Sequence, residues 1–266
     1  MLYKRVISGL LFLPIFYLVT WKLPPVYFTG LVLVAVVVGL YEFYSMAKAR
    51  GSRPLTMLGI ALGVLVVLDF YQPLVPELGT FFEVGVSLLL IMIARLFSNR
   101  PVEHALEDVA STFFGVFYVA LLFAFQIAVR MGADGKEWLV FLYFIIWASD
   151  IGAYSIGIPF GKHRLYEKIS PKKSIEGLLG ALAASAGMAL LCRVWFMPDI
   201  GMGEAIGIAL VLAIVGTIGD LVESLFKRAA GIKDSGWIIP GHGGILDRMD
   251  SMLFAAPVLY YYLRMR

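Results

Sequence analysis

Apolar runs long enough to cross a bilayer core recur at short intervals along the whole chain. They lie at 6–21, 26–46, 55–71, 79–97, 109–129, 137–158, 177–197, 203–226 and 246–263. A helix needs about 20 mostly apolar residues to cross hydrocarbon. Lipid offers no partner for backbone N–H and C=O groups, so only helices and closed barrels span it. Runs of this length without strict alternation predict helices, not barrel strands. The expected fold is therefore an all-α integral membrane protein. It is a polytopic bundle of about nine transmembrane helices with a polar chamber facing the cytoplasm. Composition agrees: the chain is 60% hydrophobic and 15% charged, where soluble domains carry about 25% charge. The single cysteine, Cys192, excludes an internal disulfide and a Cys-rich metal site. The start, MLYKRVISGLLFLPIFYLVTW, has Lys4 and Arg5 ahead of an apolar core, as a signal peptide does. Thr20, Trp21 and Lys22 stand where small residues would mark cleavage, so an uncleaved first span is expected.

Basic residues orient the bundle. With the N-terminus in the cytoplasm, all but six of the 22 lysines and arginines fall on the cytoplasmic side. The six are Lys22, Arg130, Lys136, Arg193, Arg264 and Arg266. Cytoplasmic loops carry the excess of Lys and Arg in membrane proteins. The implied location is the cytoplasmic (inner) membrane. The two longest polar connections, 159–176 and 227–245, both fall on the cytoplasmic side and are rich in Gly, Lys, Ser and Pro. Residues 1–130 read as scaffold, with lipid or oligomer contacts; residues 131–266 read as the part that carries chemistry. GIALG (Gly59–Gly63) and GEAIG (Gly203–Gly207) suit close helix packing, and a homodimer through such faces is compatible with the pattern. Nothing in the chain points to nucleic acid.

The unusual residues sit near the ends of three apolar runs. In GDLVESLFKR, Asp220, Glu223, Ser224 and Lys227 are spaced to share one helix face. In ILDRMDS, Asp247 and Asp250 project together from the first turns of the last helix. In WASDIGAYSIG, Asp150 lies inside the sixth run. An acid near hydrocarbon is costly unless it is paired, metal-bound or open to a wet cavity. Acids from three helices are expected to meet in one chamber, where a cation must offset their repulsion. Hard carboxylate oxygens suit Mg²⁺, and Mg²⁺ held by few carboxylates accompanies phosphate chemistry. A monovalent cation is compatible with the same acids. The flanking basic and small residues suit polyphosphate: Lys172, Lys173 and Ser174 in ISPKKSIEG, then Lys227, Arg228, Lys233, His242 and Arg248. Gly241, Gly243 and Gly244 allow backbone to approach a ligand closely.

SLFKRAAGIKDSGWIIPGHGGILDRMDS, Ser224 to Ser251, resembles the signature of the phosphatidate cytidylyltransferase family, also called CDP-diacylglycerol synthase. Its order is Ser, Lys-Arg, Lys-Asp, Pro-Gly-His-Gly-Gly and Asp-Arg-x-Asp, and each position is present. SPKKSIEG and SDIGAYSIG resemble upstream segments of the same family. Ser174 stands where many members have Thr, and Ile175 replaces a frequent Trp. The resemblance implies that CTP and phosphatidic acid give CDP-diacylglycerol and pyrophosphate, with Mg²⁺. It implies Asp220 and Asp247 as principal metal ligands, with Asp250, Asp150 and Glu223 as further ones. Lys227 and Arg248 join the two aspartates as catalytic candidates. Ser224, Arg228, Lys233, Asp234, His242, Gly243 and Gly244, with Lys172, Lys173 and Ser174, are candidates for binding triphosphate or lipid phosphate.

Plainer roles compete for several of these residues. Lys227 and Arg228 can snorkel at a helix end. Lys172 and Lys173 can serve as headgroup contacts. Asp247 and Arg248 can be a helix-start pair, and Asp150 a satisfied packing residue. Glu83, inside the fourth run, has no assigned chemistry and is expected to make an interhelical hydrogen bond or sit at an edge; His104 and His163 read as loop residues. GIPFGKH lacks the spacing and hydroxyl of a phosphate loop, and HExxH and GxSxG are absent. Asp247-x-x-Asp250 is followed by Ser251 and Met252, unlike the Gly and Ala-Arg of the CDP-alcohol phosphotransferases. A cytidylyltransferase for another lipid phosphate is the nearest alternative. An ion-coupled transporter is the alternative from a different class.

Overall fold

The computed structural model describes residues 14–77, 79–236 and 243–266. Residues 6–13 of the first expected span, 6–21, and Gly241 and His242 lie outside the described residues. The remaining runs emerge as helices. We number them α1 (Pro25–Ala49), α2 (Thr56–Tyr71), α3 (Thr80–Leu96), α4 (Ala105–Gly115), α5 (Leu122–Met131), α6 (Gly135–Phe160), α7 (Ile175–Trp195), α8 (Met202–Ala229) and α9 (Leu246–Met265). A π-helical segment, Val116–Leu121, joins α4 to α5, so Val102–Met131 forms one apolar rod. Among the described residues, five helices are long and apolar enough to cross a membrane: α1, that rod, α6, α7 and α8. The only strands among the described residues are β1 (Arg164–Tyr166) and β2 (Ser170–Ser174), an antiparallel pair in the 159–176 connection. This is an all-α membrane protein.

The chain forms two compact units. The first comprises Met1–Met131 with Phe226–Arg248, and the second Gly132–Leu225 with Met249–Arg266. The segment Phe226–Arg248, read from sequence with residues 131–266, thus belongs with the N-terminal helices.

In the first unit α1 packs against α2 and the Val102–Met131 rod. Pro25 starts it, where a missing N–H costs nothing. Gly59 and Gly63 of α2 lie so close to Tyr44 and Leu40 that a Cβ at either would overlap them. The GIALG face is therefore used for packing inside the unit, whereas Gly203 and Gly207 meet open space. The Tyr44 hydroxyl donates to the Thr112 carbonyl at 2.8 Å, tying α1 to α4. A buried ion pair anchors the loops at one end. Arg95 Nε meets Asp108 Oδ2 at 3.0 Å, and Asp108 Oδ1 accepts the Arg53 N–H at 2.8 Å. Burial of two charges is tolerated here because both carboxylate oxygens have donors.

In the second unit, α6 and α7 cross at Gly152 and Gly180, where a Cβ on Gly152 would strike the Gly180 carbonyl. The glycines of SDIGAYSIG therefore serve packing. α8 and α9 approach through Gly216 and Gly219; a Cβ at Gly219 would lie 2.6 Å from the Asp250 carbonyl oxygen. At the far end of α9, Arg266 Nε pairs with Glu204 at 2.8 Å and lies over the Trp138 ring at 5.3 Å.

Candidate active site

In the first unit, the end of α8 and the start of α9 present Lys227 and Asp247 to each other. α8 stops because Gly231 adopts φ +71°, a conformation that costs little only for glycine. The Gly231 N–H then donates to the Arg228 carbonyl at 3.1 Å and the Ile232 N–H to the Lys227 carbonyl at 3.0 Å. These are the two bonds of a Schellman ending. Phe226, one residue before Lys227, is held edge-on by Phe114 and Tyr118, with ring centres at 5.6 and 5.3 Å. Lys227 is thereby set on an anchored turn, and its ammonium reaches Asp247 Oδ1 at 2.6 Å. The side chains are 11% and 7% exposed, which makes snorkelling into water the wrong description of Lys227.

The other oxygen of Asp247 is occupied by three donors. Oδ2 accepts the Ser235 N–H at 2.8 Å, the Ser235 hydroxyl at 2.9 Å and the Gly244 N–H at 2.8 Å. Gly243 makes this possible. It has φ +85°, and a Cβ there would stand 2.7 Å from Oδ2. Gly243 and Gly244 thus wrap backbone around an aspartate of the protein itself. Lys233, Asp234 and Arg248 are exposed beside this cluster, and the Arg228 guanidinium donates to the Ile232 carbonyl at 3.2 Å.

A residue outside the sequence expectations completes the cluster. Glu42 of α1 is 2% exposed. Its Oε1 accepts the Ile245 N–H at 3.0 Å and its Oε2 the Leu246 N–H at 3.0 Å, and the Ser235 hydroxyl that faces Asp247 also lies 3.2 Å from Oε2. The usable signal was a lone carboxylate in the 26–46 apolar run, the same signal that drew attention to Glu83.

In the second unit, Lys173 Nζ meets Asp220 Oδ2 at 2.5 Å. α8 is unbroken across its polar face, so the spacing argument holds, and the Ser224 hydroxyl donates to Asp220 Oδ1 at 3.4 Å. The two lysines of SPKKS separate. Successive side chains on a strand point to opposite faces, so Lys173 turns to Asp220 while Lys172 is exposed. Ser174 caps α7, its oxygen accepting the Gly177 N–H at 3.1 Å. Glu176 fixes the preceding loop by accepting from His163 Nδ1 at 2.6 Å and from the backbone N–H groups of Lys162 and His163. Glu223 is fully buried. Asp250 Oδ1 accepts the Ser251 N–H at 2.6 Å, and its backbone rests on Gly219, beside Asp220. Asp150 is exposed on α6. Among the described residues, no three His, Cys, Asp or Glu side chains of either unit gather as a ready-made metal cage.

A cluster of this kind can bind anions with its lysines and cations with its carboxylates. Comparison with known proteins narrows the choice. Residues 3–266 match the model of a family described as the cytidylyltransferase family. A phosphatidate cytidylyltransferase of Synechocystis sp. is 32% identical over 268 aligned residues, 89% of this chain and 88% of the relative. That of Staphylococcus saprophyticus is 36% identical over 201 residues, 75% of each chain. That of Staphylococcus haemolyticus is 38% identical over 176 residues, 66% of each.

Proposed function

The chain belongs to the cytidylyltransferase family, and from that premise we propose that it transfers a cytidylyl group from CTP to phosphatidic acid. A lipid phosphate oxygen attacks the α-phosphorus of CTP, the bond from that phosphorus to the bridging oxygen breaks, and pyrophosphate leaves with its electron pair. The products are CDP-diacylglycerol and pyrophosphate. The nucleophile is already an anion, so no strong base is required. The barrier is the repulsion between two phosphates and the charge that grows on the departing one. Fixed ammonium and guanidinium groups address both.

The observation that carries this reading is the Asp247 cluster within Ser224–Ser251. One carboxylate oxygen is immobilised by three donors, while the other holds Lys227. In this role Lys227, held against Asp247, presents its positive charge to a substrate phosphate, and Lys173 moves between Asp220 and such a phosphate. Arg228, Lys233 and Arg248 supply further positive charge for triphosphate or lipid phosphate. Lys172 faces away from Asp220 and suits the lipid headgroup layer.

Magnesium fits the donor set. Asp220 and Asp247 present hard carboxylate oxygens, and each already holds a cation at 2.5 or 2.6 Å. Mg²⁺ is commonly bound by one or two carboxylates together with substrate phosphates, so a cage of three acids is not needed. Asp247 in the first unit and Asp220 in the second are each proposed as magnesium ligands; in the second unit Asp250, Asp150 and Glu223 contribute directly or through water. An ion bound there would neutralise phosphate charge. The positive-charge bias of the connections supports insertion in the cytoplasmic membrane with these residues on the cytoplasmic side.

The test is pyrophosphate release by the purified protein with CTP, phosphatidate and Mg²⁺, compared with dCTP, ATP and other lipid phosphates. Release specific to CTP and phosphatidate is expected. Faster turnover with a different lipid phosphate would move the assignment to that substrate, and no CTP-dependent release would end it.

A further inference from the structure

Glu42 sits in an apolar helix, 2% exposed. A carboxylate there is costly unless its oxygens are satisfied. Among the described residues it has no basic partner; its acceptor capacity goes to Ser235, Ile245 and Leu246. Leu246 is the first residue of α9. The first N–H groups of a helix have no intrahelical acceptor, and the positive end of the helix dipole lies there. Glu42 therefore caps α9 from a helix about 200 residues earlier in the chain.

The capped turn also carries Asp247. The N–H of Gly244 goes to Asp247, and the N–H groups of Ile245 and Leu246 go to Glu42. Three successive amides are thus divided between two carboxylates. The Ser235 hydroxyl lies within reach of both, at 3.2 Å from Glu42 and 2.9 Å from Asp247. It has a single proton, so the position of one carboxylate influences the donor available to the other. Glycine packing holds the arrangement tight: a Cβ at Gly236 or Gly244 would overlap the Glu42 carboxylate.

We infer that Glu42 is a positioning residue for Asp247, fixing its rotamer through the Ser235 hydroxyl and the backbone of Ile245 and Leu246. This rests on the cytidylyl-transfer reading for its effect on turnover, but not for its effect on backbone order. Glutamine is the informative replacement. It keeps the shape of the side chain but turns one acceptor into an NH₂ donor, which must face an N–H or O–H. Aspartate is one methylene shorter and cannot reach both amides, so it should not rescue. Gly236→Ala provides an independent approach. It leaves Glu42 chemically intact and sets a methyl group against its carboxylate, and Gly236 has no positive φ to complicate the result.

The experiment measures hydrogen–deuterium exchange and steady-state turnover on the full-length purified protein. Without nucleotide, Glu42→Gln should speed exchange of the Gly244–Leu246 amides, with α6 and α7 unchanged. Turnover per folded molecule should fall by about 100-fold, the scale of an ångström-sized misplacement of a catalytic group. KM for CTP should change little. Gly236→Ala should shift both readouts in the same direction by less. Ser235→Ala combined with Glu42→Gln should cost less than the product of the two single losses, because both act through the same hydroxyl. A residue that merely supports folding would lower yield and melting temperature but leave kcat of the folded fraction intact; that result overturns the inference. So does wild-type exchange at Gly244–Leu246 in Glu42→Gln. If the wild-type protein releases no pyrophosphate, the cytidylyl-transfer reading fails instead, and the exchange measurement still decides the role of Glu42.

Discussion

Each compact unit contains an aspartate joined to a lysine, and the two pairs are built differently. Asp247 and Lys227 in the first unit are nearly closed off, and three further donors hold the second oxygen of Asp247. Asp220 and Lys173 in the second unit are 31% and 25% exposed, and the second oxygen of Asp220 has one long bond from Ser224. The first pair is preorganised: its geometry was settled on folding, so little reorganisation remains when charge shifts. The second pair is adaptable. Lys173 stands on a short strand, and its ion pair with Asp220 is partly open to solvent.

The contrast orders the expected losses. Asp247→Asn should be the most severe, because the amide NH₂ must face either Lys227 or the three donors. Pyrophosphate release should fall by about 10³-fold, with normal extraction and elution in detergent as the control for folding. Asp220→Asn should cost about 10²-fold and leave the melting temperature near wild type, since its surroundings can relax. If Asp220→Asn proves worse than Asp247→Asn, the ranking by preorganisation is wrong. Gly243→Ala comes next. A side chain at φ +85° costs about 1–2 kcal/mol, and its Cβ meets Asp247 Oδ2, so thermal unfolding and kcat should both drop. Lys173→Ala should raise KM for CTP or phosphatidate more than it lowers kcat. Lys172→Ala, on the opposite face of β2, should have the smallest effect, a modest rise in KM for the lipid. Equal effects from the two lysines would show that the pleat does not separate their roles.

Much of this arrangement was legible in the chain. The apolar runs marked the helices because each span satisfies its own backbone, which makes it a local decision. The i, i+3 and i+4 relations of Asp220, Glu223, Ser224 and Lys227 followed from helix geometry, and α8 keeps them. Other features were not visible. Ser174 is a helix cap, which its place just before an apolar run with Glu176 beyond could suggest, but only the fold shows its oxygen on the Gly177 N–H. Lys172 and Lys173 looked equivalent until β2 formed between them and their neighbours. Glu42 was passed over because a single acid in an apolar run has no local partner; its partners lie at 235, 245 and 246. Glu83 of α3 meets the buried Asp69 of α2, a partner in another helix that the apolar run alone does not reveal.

The amino-acid sequence by itself determined a helical membrane protein and the segments bearing its charge, because hydrophobic length and helical spacing act over a few turns. Only the tertiary structure decided which donors satisfy each carboxylate. A buried acid takes its hydrogen bonds from whatever the fold brings within 3 Å or so, and for Glu42 and Asp247 that neighbourhood is assembled from opposite ends of the chain.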